Sequence, residues 1–229
     1  MENVIIIRDL HKVYSNHFDV HALRGVDLDI ARGDFMTIAG PSGSGKTTLL
    51  NIMGGLDEPT EGSVVVEGRD LTALSKSELA DLRRTQLGFV FQSFNLIPVL
   101  TARENVEFAL ILQGVATEKR RRLAENILRE VGLDEDMMNR RPVDLSGGQQ
   151  QRVAVARAIV GESSVVLADE PTANLDTENA LALLDIMERL NREGQATFVF
   201  STHDPRVMAR AKRRVTLRDG VVASDERVQ

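Results

Sequence analysis

The stretch FMTIAGPSGSGKTTLLNIMGG, Phe35 to Gly55, decides how the rest of the chain is read. Phe35 to Ala39 form a compact apolar run of strand length. Gly40 to Thr47 then fit G-x-x-x-x-G-K-[ST], and the spacing after Lys46 predicts a helix that stops at Gly54 and Gly55, where a C-cap belongs. Strand, glycine-rich loop and helix in that order make a cradle for phosphate. Glycine lets the N–H groups from Ser42 to Lys46 close around phosphate oxygens, Lys46 brings a mobile charge to the β and γ phosphates, and Thr47 offers a hard oxygen to Mg²⁺. Gly40, Ser42, Gly43, Ser44, Gly45, Lys46, Thr47 and Thr48 are the candidate phosphate-binding residues.

Working outward, VVLA (Val165 to Ala168), a helical pattern from about Thr177 to Arg192, and TFVFS (Thr197 to Ser201) read as strand, helix, strand, which implies a parallel βαβ unit. Asp169 and Glu170 follow the first of these strands, His203 follows the second, and Gln92 follows LGFVF (Leu87 to Phe91). In a parallel sheet such residues emerge at the carboxyl edge, where the phosphate loop also lies. Adjacent carboxylates at a strand end point different ways, so Asp169 can complete the metal site while Glu170 accepts a proton from an attacking water. Polar residues at strand ends are common; the convergence of several on one edge is what points to chemistry. Tyr14, the only tyrosine, reads either as a half-exposed aromatic or as a base-stacking ring.

Composition narrows the classes. At 229 residues the chain buries a sizeable core, and 42% hydrophobic with 27% charged residues exclude a disordered chain. The formal charge of −6 gives no general pull toward nucleic acid, so no nucleic-acid partner is expected. Zero cysteines exclude disulfides and thiolate metal sites, and His11, His17, His21 and His203 have no metal-ligand spacing. No signal peptide and no membrane span are expected, and a cytoplasmic location is. Short strands open the chain, Val4 to Leu10 and VDLDI, and another covers Val64 to Val66. Capping boxes at Ser75/Glu78 and Thr101/Glu104 start helices, a further helix runs from about Glu118 to Val131, and Asp219-Gly220 turns a terminal hairpin.

LSGGQQQR, Leu145 to Arg152, poses a separate question. Ser146 and Gln149 form a capping box, but Gly147 and Gly148 cost a helix roughly 1 kcal/mol each relative to alanine. A bare helix N-terminus suits an anion, and the chain has only one phosphate loop.

The order of motifs resembles the nucleotide-binding subunit of an ATP-binding cassette (ABC) transporter over nearly the whole chain. GPSGSGKT resembles the phosphate loop, Gln92 the Q-loop, LSGGQ the signature, VVLADE the Walker B strand with its glutamate, ANLD (Ala173 to Asp176) the D-loop and His203 the switch histidine. The resemblance implies an α/β fold: a RecA-like P-loop ATPase core (1–92 and 155–229), a small antiparallel β subdomain and an inserted α-helical subdomain (about 93–154), all in one domain spanning 1–229. It implies ATP and Mg²⁺ as ligands, with Tyr14 stacking on adenine, Lys46 and His203 stabilising γ-phosphate charge, and Glu170 activating water. Thr47, Gln92 and Asp169 would arrange the metal. Two copies would face head to tail, so that Ser146, Gly147, Gly148, Gln149 and Asp176 of one complete the ATP site of the other; the glycines are bare because the phosphate belongs to a partner.

VHALRGVDLDI, TTLLNIMGGLDEPTEG and FVFQSFNLIPVLTARENVE further resemble the MacB/LolD branch. This implies a separate membrane permease, peripheral attachment at the cytoplasmic face of the membrane, and export or lipoprotein extrusion. SFNLIPVL either folds back on the core or lines a groove for a permease helix. A cell-division-type regulatory ATPase and a non-transport ABC ATPase stand as alternatives.

Overall fold

The computed structural model describes residues 2–15, 18–194 and 196–228, so His17 lies outside the described residues. In chain order the elements are β1 Asn3–Ser15, β2 Asp19–Ala31, β3 Phe35–Ala39, α1 Lys46–Met53, β4 Glu61–Val66, β5 Arg69–Asp70, α2 Lys76–Gln86, β6 Leu87–Val90, α3 Ala102–Leu112, α4 Thr117–Glu130, α5 Glu135–Met138, α6 Gly147–Ile159, β7 Val165–Asp169, α7 Thr177–Arg192, β8 Thr197–Thr202, α8 Pro205–Arg210, β9 Arg213–Arg218 and β10 Val221–Arg227. Two sheets result. One is antiparallel, in the order β2-β1-β4-β5; the other runs β10-β9-β3-β8-β7-β6, parallel from β9 to β6.

The second sheet is covered on both faces, which is why its central strands are continuous apolar runs. Val166, Ala168, Phe198 and Phe200 face one core together with α6 and α7, and Phe35 meets Phe200 edge-on at 4.8 Å. The alternate residues Val165, Leu167 and Val199 face a second core shared with α1 and the antiparallel sheet. All four parallel strands expected from the sequence therefore end at one edge, and the first turn of α1 stands over it.

The helices begin where their caps predict. Ser75, Thr101 and Ser146 each close a full capping box, and the Asp219-Gly220 hairpin turns through two positive φ angles, 50° and 81°. The expected strand over Val4 to Leu10 is longer, reaching Ser15. Asp9 at φ 45° makes a bulge that shifts register between Ile7 and Leu10, so the polar His11 and Lys12 continue the strand although they break its alternation. Likewise β6 stops at Val90, leaving Phe91 outside it. The expected subdomain boundary near residue 154 falls inside α6.

Candidate active site

The phosphate loop is held open by geometry that only glycine satisfies. Gly45, the N-cap of α1, has φ 100°, and a Cβ there would lie 2.4 Å from the Ala22 carbonyl oxygen; a Cβ on Gly40 would lie 2.1 Å from that of Leu217. No side chain caps α1, so its first N–H groups are left for an anion. The Lys46 ammonium, almost fully buried, donates to the carbonyls of Gly40 and Pro41 at 2.9 Å each, which aims it along the loop.

Around this loop lies a cavity of about 720 Å³ lined by Tyr14, Ser42, Gly43, Gly45, Lys46, Thr47, Thr48, Gln92, Glu170 and His203, together with Val20, His21, Ala22 and Pro41. Gln92, Glu170 and His203, from three strand ends, are thus brought together, and Asp169 joins them through Thr47. A slightly larger cleft, about 790 Å³, lies beside Arg32, Asn126, Glu130 and Thr197, but none of the strand-end candidates lines it.

The two adjacent carboxylates diverge. Asp169 accepts from Thr47 Oγ1 at 3.1 and 3.2 Å. Glu170 turns the other way because its backbone sits at φ 45°, a conformation costly for a glutamate by about 1–3 kcal/mol. Its N–H donates to the Ser201 carbonyl at 2.9 Å, Thr202 Oγ1 donates to Oε2 at 3.1 Å, and Nδ1 of His203 lies 2.6 Å from Oε1. The sequence did not show this contact of His203 with Glu170, which is the arrangement of a base and its orienting partner. Gln92 is exposed, and its backbone carbonyl accepts from Asn174 Nδ2 at 2.8 Å. A hard-oxygen pair formed by a hydroxyl and a carboxylate beside a phosphate loop fits Mg²⁺, which takes few protein ligands and completes its shell with phosphate and water.

Three supports were not visible in the sequence. The Tyr14 hydroxyl donates to Asp57 at 2.6 Å, and Lys12 bonds the same carboxylate at 2.6 Å while its ammonium stands 4.7 Å from the Tyr14 ring centroid. One ring face is occupied by that cation. Burial opposes ionisation of Asp57, yet the bonds from Lys12 and Tyr14 hold its carboxyl below the usual range. Burial likewise raises Tyr14, helped by its bond to Asp57. The loop after His203 is pinned by Asp204, which accepts from Thr172 at 2.6 Å and from Arg206. Burial works against its charge, but these donors hold its pKa at about 2. Finally, the half-buried Arg157, whose pKa desolvation lowers, donates to the carbonyls of Phe94 and Asn95, fixing two non-glycine residues at positive φ after Gln92. Only the position of Asp204 next to His203 gave any hint of these roles.

Ser146, Gly147, Gly148 and Gln149 do not line the cavity. They start α6, where Ser146 N–H donates to Gln149 Oε1 at 2.9 Å and Gln149 N–H returns to Ser146 Oγ at 3.3 Å. The two glycines separate. A Cβ on Gly148 would lie 2.6 Å from Asn179 Oδ1, so its bareness has a packing cause within the chain and does not require a partner. A Cβ on Gly147 would meet nothing closer than 3.6 Å. Asp176 caps α7, accepting from Asn179 N–H and Nδ2 at 2.8 Å each, and the Asn179 N–H holds its carboxyl below the usual range.

Residues 23–173 match the ABC transporter family. An ABC transporter ATP-binding protein of Thermotoga maritima is 44% identical over 99% of this chain and 97% of its own length. The macrolide export ATP-binding/permease protein MacB 1/2 of Paracoccus denitrificans is 48% identical over 91% of this chain, which spans 31% of that longer protein. The cassette MJ0796 of Methanocaldococcus jannaschii, solved as a dimer, superposes with a TM-score of 0.92 at 43% identity, covering 98% of this chain and 99% of the other. A second structure of that cassette, in a post-hydrolysis state bound to ADP and Pi, gives 0.91 at 41% identity.

Proposed function

Since this chain belongs to the ABC transporter family, as an ATP-binding and ATP-hydrolysing subunit, we propose that two copies close head to tail over two ATP molecules and so drive a separate membrane permease of the MacB/LolD type. The single observation that carries the dimer is Gly147. It stands bare at a helix start that does not line the phosphate-loop cavity, and among the described residues a Cβ there would meet nothing closer than 3.6 Å. The MJ0796 cassette, solved as a dimer, supports a two-copy assembly.

In this reading the loop amides from Ser42 to Lys46 hold the phosphates of ATP, and Lys46 neutralises charge on the γ-phosphate. Thr47, Asp169 and Gln92 would hold Mg²⁺, which would supply neutralisation of phosphate charge. Glu170 accepts the proton of the attacking water at its carboxylate, and His203 orients it through Nδ1 while Nε2 reaches the phosphate. Tyr14 offers adenine the ring face opposite Lys12. Ser146, Gly147, Gly148, Gln149 and Asp176 of the second copy close the site.

The permease reading rests on the combined ATP-binding/permease proteins among the relatives and on an apolar surface. Of SFNLIPVL, Leu96 packs on the core, whereas Val99 is 69% exposed; Phe108, Ile111 and Leu112 of α3 are exposed nearby. Leu112 lines a groove of about 270 Å³ with Phe89, Phe91 and Arg157, suited to a short apolar helix. No described helix is long and apolar enough to cross a membrane, and attachment at the cytoplasmic face would come through the permease.

Glu170→Gln tests the assembly. With ATP it should elute as a dimer in size-exclusion chromatography, and with ADP as a monomer. A monomer under both conditions contradicts the proposal.

A further inference from the structure

Ser201 carries a second polar group at the metal side of the site. It is fully buried, and its Oγ has no hydrogen-bond partner among the described residues. Buried hydroxyls are nearly always paired, so such a group calls for an explanation. Its position supplies one. Ser201 is the register partner of Asp169 across β7 and β8, and of Ile38 across β3 and β8. Leu167 and Val199, two residues earlier in each strand, face the core shared with Leu49 and Ile52 of α1. Strand alternation therefore puts the side chains of Asp169 and Ser201 on that same face, beneath the first turn of α1. The Asp169 carboxylate, in turn, takes both its hydrogen bonds from the single proton of Thr47, at 3.1 and 3.2 Å. A donor without an acceptor stands beside an acceptor short of donors.

We propose that Ser201 is a positioning residue for Mg²⁺: when Asp169 turns from Thr47 to the metal, the Ser201 hydroxyl donates to it directly across the strand pair, fixing the carboxylate in the orientation that binds the metal with nucleotide. The inference rests on the assignment of Asp169 to the metal site. Outer partners of this kind set the direction in which a ligand's lone pairs point, and their loss weakens metal binding without removing a ligand.

The test is a Mg²⁺ titration of binding of a fluorescent ADP analogue, with a parallel series in EDTA and no hydrolysis required. Ser201→Ala should raise the Mg²⁺ midpoint roughly tenfold and leave metal-free binding unchanged. Because it removes an unpaired buried hydroxyl, the variant should melt no lower than the parent without nucleotide. An unchanged Mg²⁺ midpoint, or an equal weakening with and without metal, overturns the inference. Asp169→Asn is measured alongside. If Asp169→Asn shifts the midpoint and Ser201→Ala does not, only the role of Ser201 fails; if neither does, the metal assignment fails with it.

Discussion

Two helix starts in this chain are built for anions, and they are finished differently. The N-terminus of α1 has no side-chain cap, is entered through Gly45 at φ 100°, and is surrounded by Lys46, Thr47, Asp169, Glu170 and His203. The N-terminus of α6 is satisfied locally by Ser146 and Gln149, and none of the strand-end carboxylates or the switch histidine joins it. One start lies in the cleft with the strand-end residues; the other offers a bare edge outside that cleft. In the proposed dimer, a chain made this way holds nucleotide at the first start and lends the second to its partner.

The largest effects should come from damaging each start separately. Lys46→Ala should lower ATP turnover on the order of 100-fold or more and weaken nucleotide binding by the monomer. Gly147→Asp should lower turnover comparably, yet leave monomeric ATP affinity near the parental value in equilibrium titrations. The acid in the first turn of α6 should also raise folded stability by about 0.3–1 kcal/mol. Loss of monomeric affinity in Gly147→Asp would erase the distinction between the two starts.

The neighbouring glycines sharpen the comparison through stability. Gly148→Ala forces a Cβ to within 2.6 Å of Asn179, which also holds the Asp176 cap, and should cost about 1–3 kcal/mol in urea unfolding. Gly147→Ala should be neutral or slightly stabilising. Equal costs would return both residues to an ordinary packing role.

On the α1 side, Asp204 anchors the loop carrying His203. Its pKa is held at about 2 against an ordinary 3.8, so its charge stabilises the fold above pH 3.8. That contribution is lost as pH falls through about 2. Unfolding titrations at descending pH should show the parent losing about 1–2 kcal/mol more than Asp204→Asn over this window. Parallel curves would separate the loop anchor from acid stability.

The smallest effect belongs to Tyr14→Phe, which keeps the ring and removes its bond to Asp57. ATP affinity, by fluorescence titration, should fall about twofold to fivefold. A loss as large as that of Tyr14→Ala would assign the recognition to the hydroxyl.

Much of the site was legible because its chemistry is local. A strand followed at once by Asp169-Glu170, or by a glycine loop and Lys46, announces both the edge and the residue on it. The partnerships were not legible. Lys12 and Tyr14 meet Asp57 across the β1 strand and the loop after α1, and only the folded chain shows His203 on Glu170. The length of β1 was missed because a bulge at Asp9 resets the alternation. Both signature glycines read from the sequence as partner-facing; the folded chain adds a packing cause for Gly148 against α7, while a Cβ on Gly147 would meet nothing closer than 3.6 Å among the described residues.

The most direct test mixes two inactive variants, Lys46→Ala and Gly147→Asp, in equal amounts. Each alone breaks both sites of a symmetric dimer. A mixed pair places both lesions in one site and leaves the other intact, so random pairing should restore roughly a quarter of parental turnover. A mixture as inactive as its components, with mixed dimers demonstrably formed, would contradict the sharing of each site between two copies.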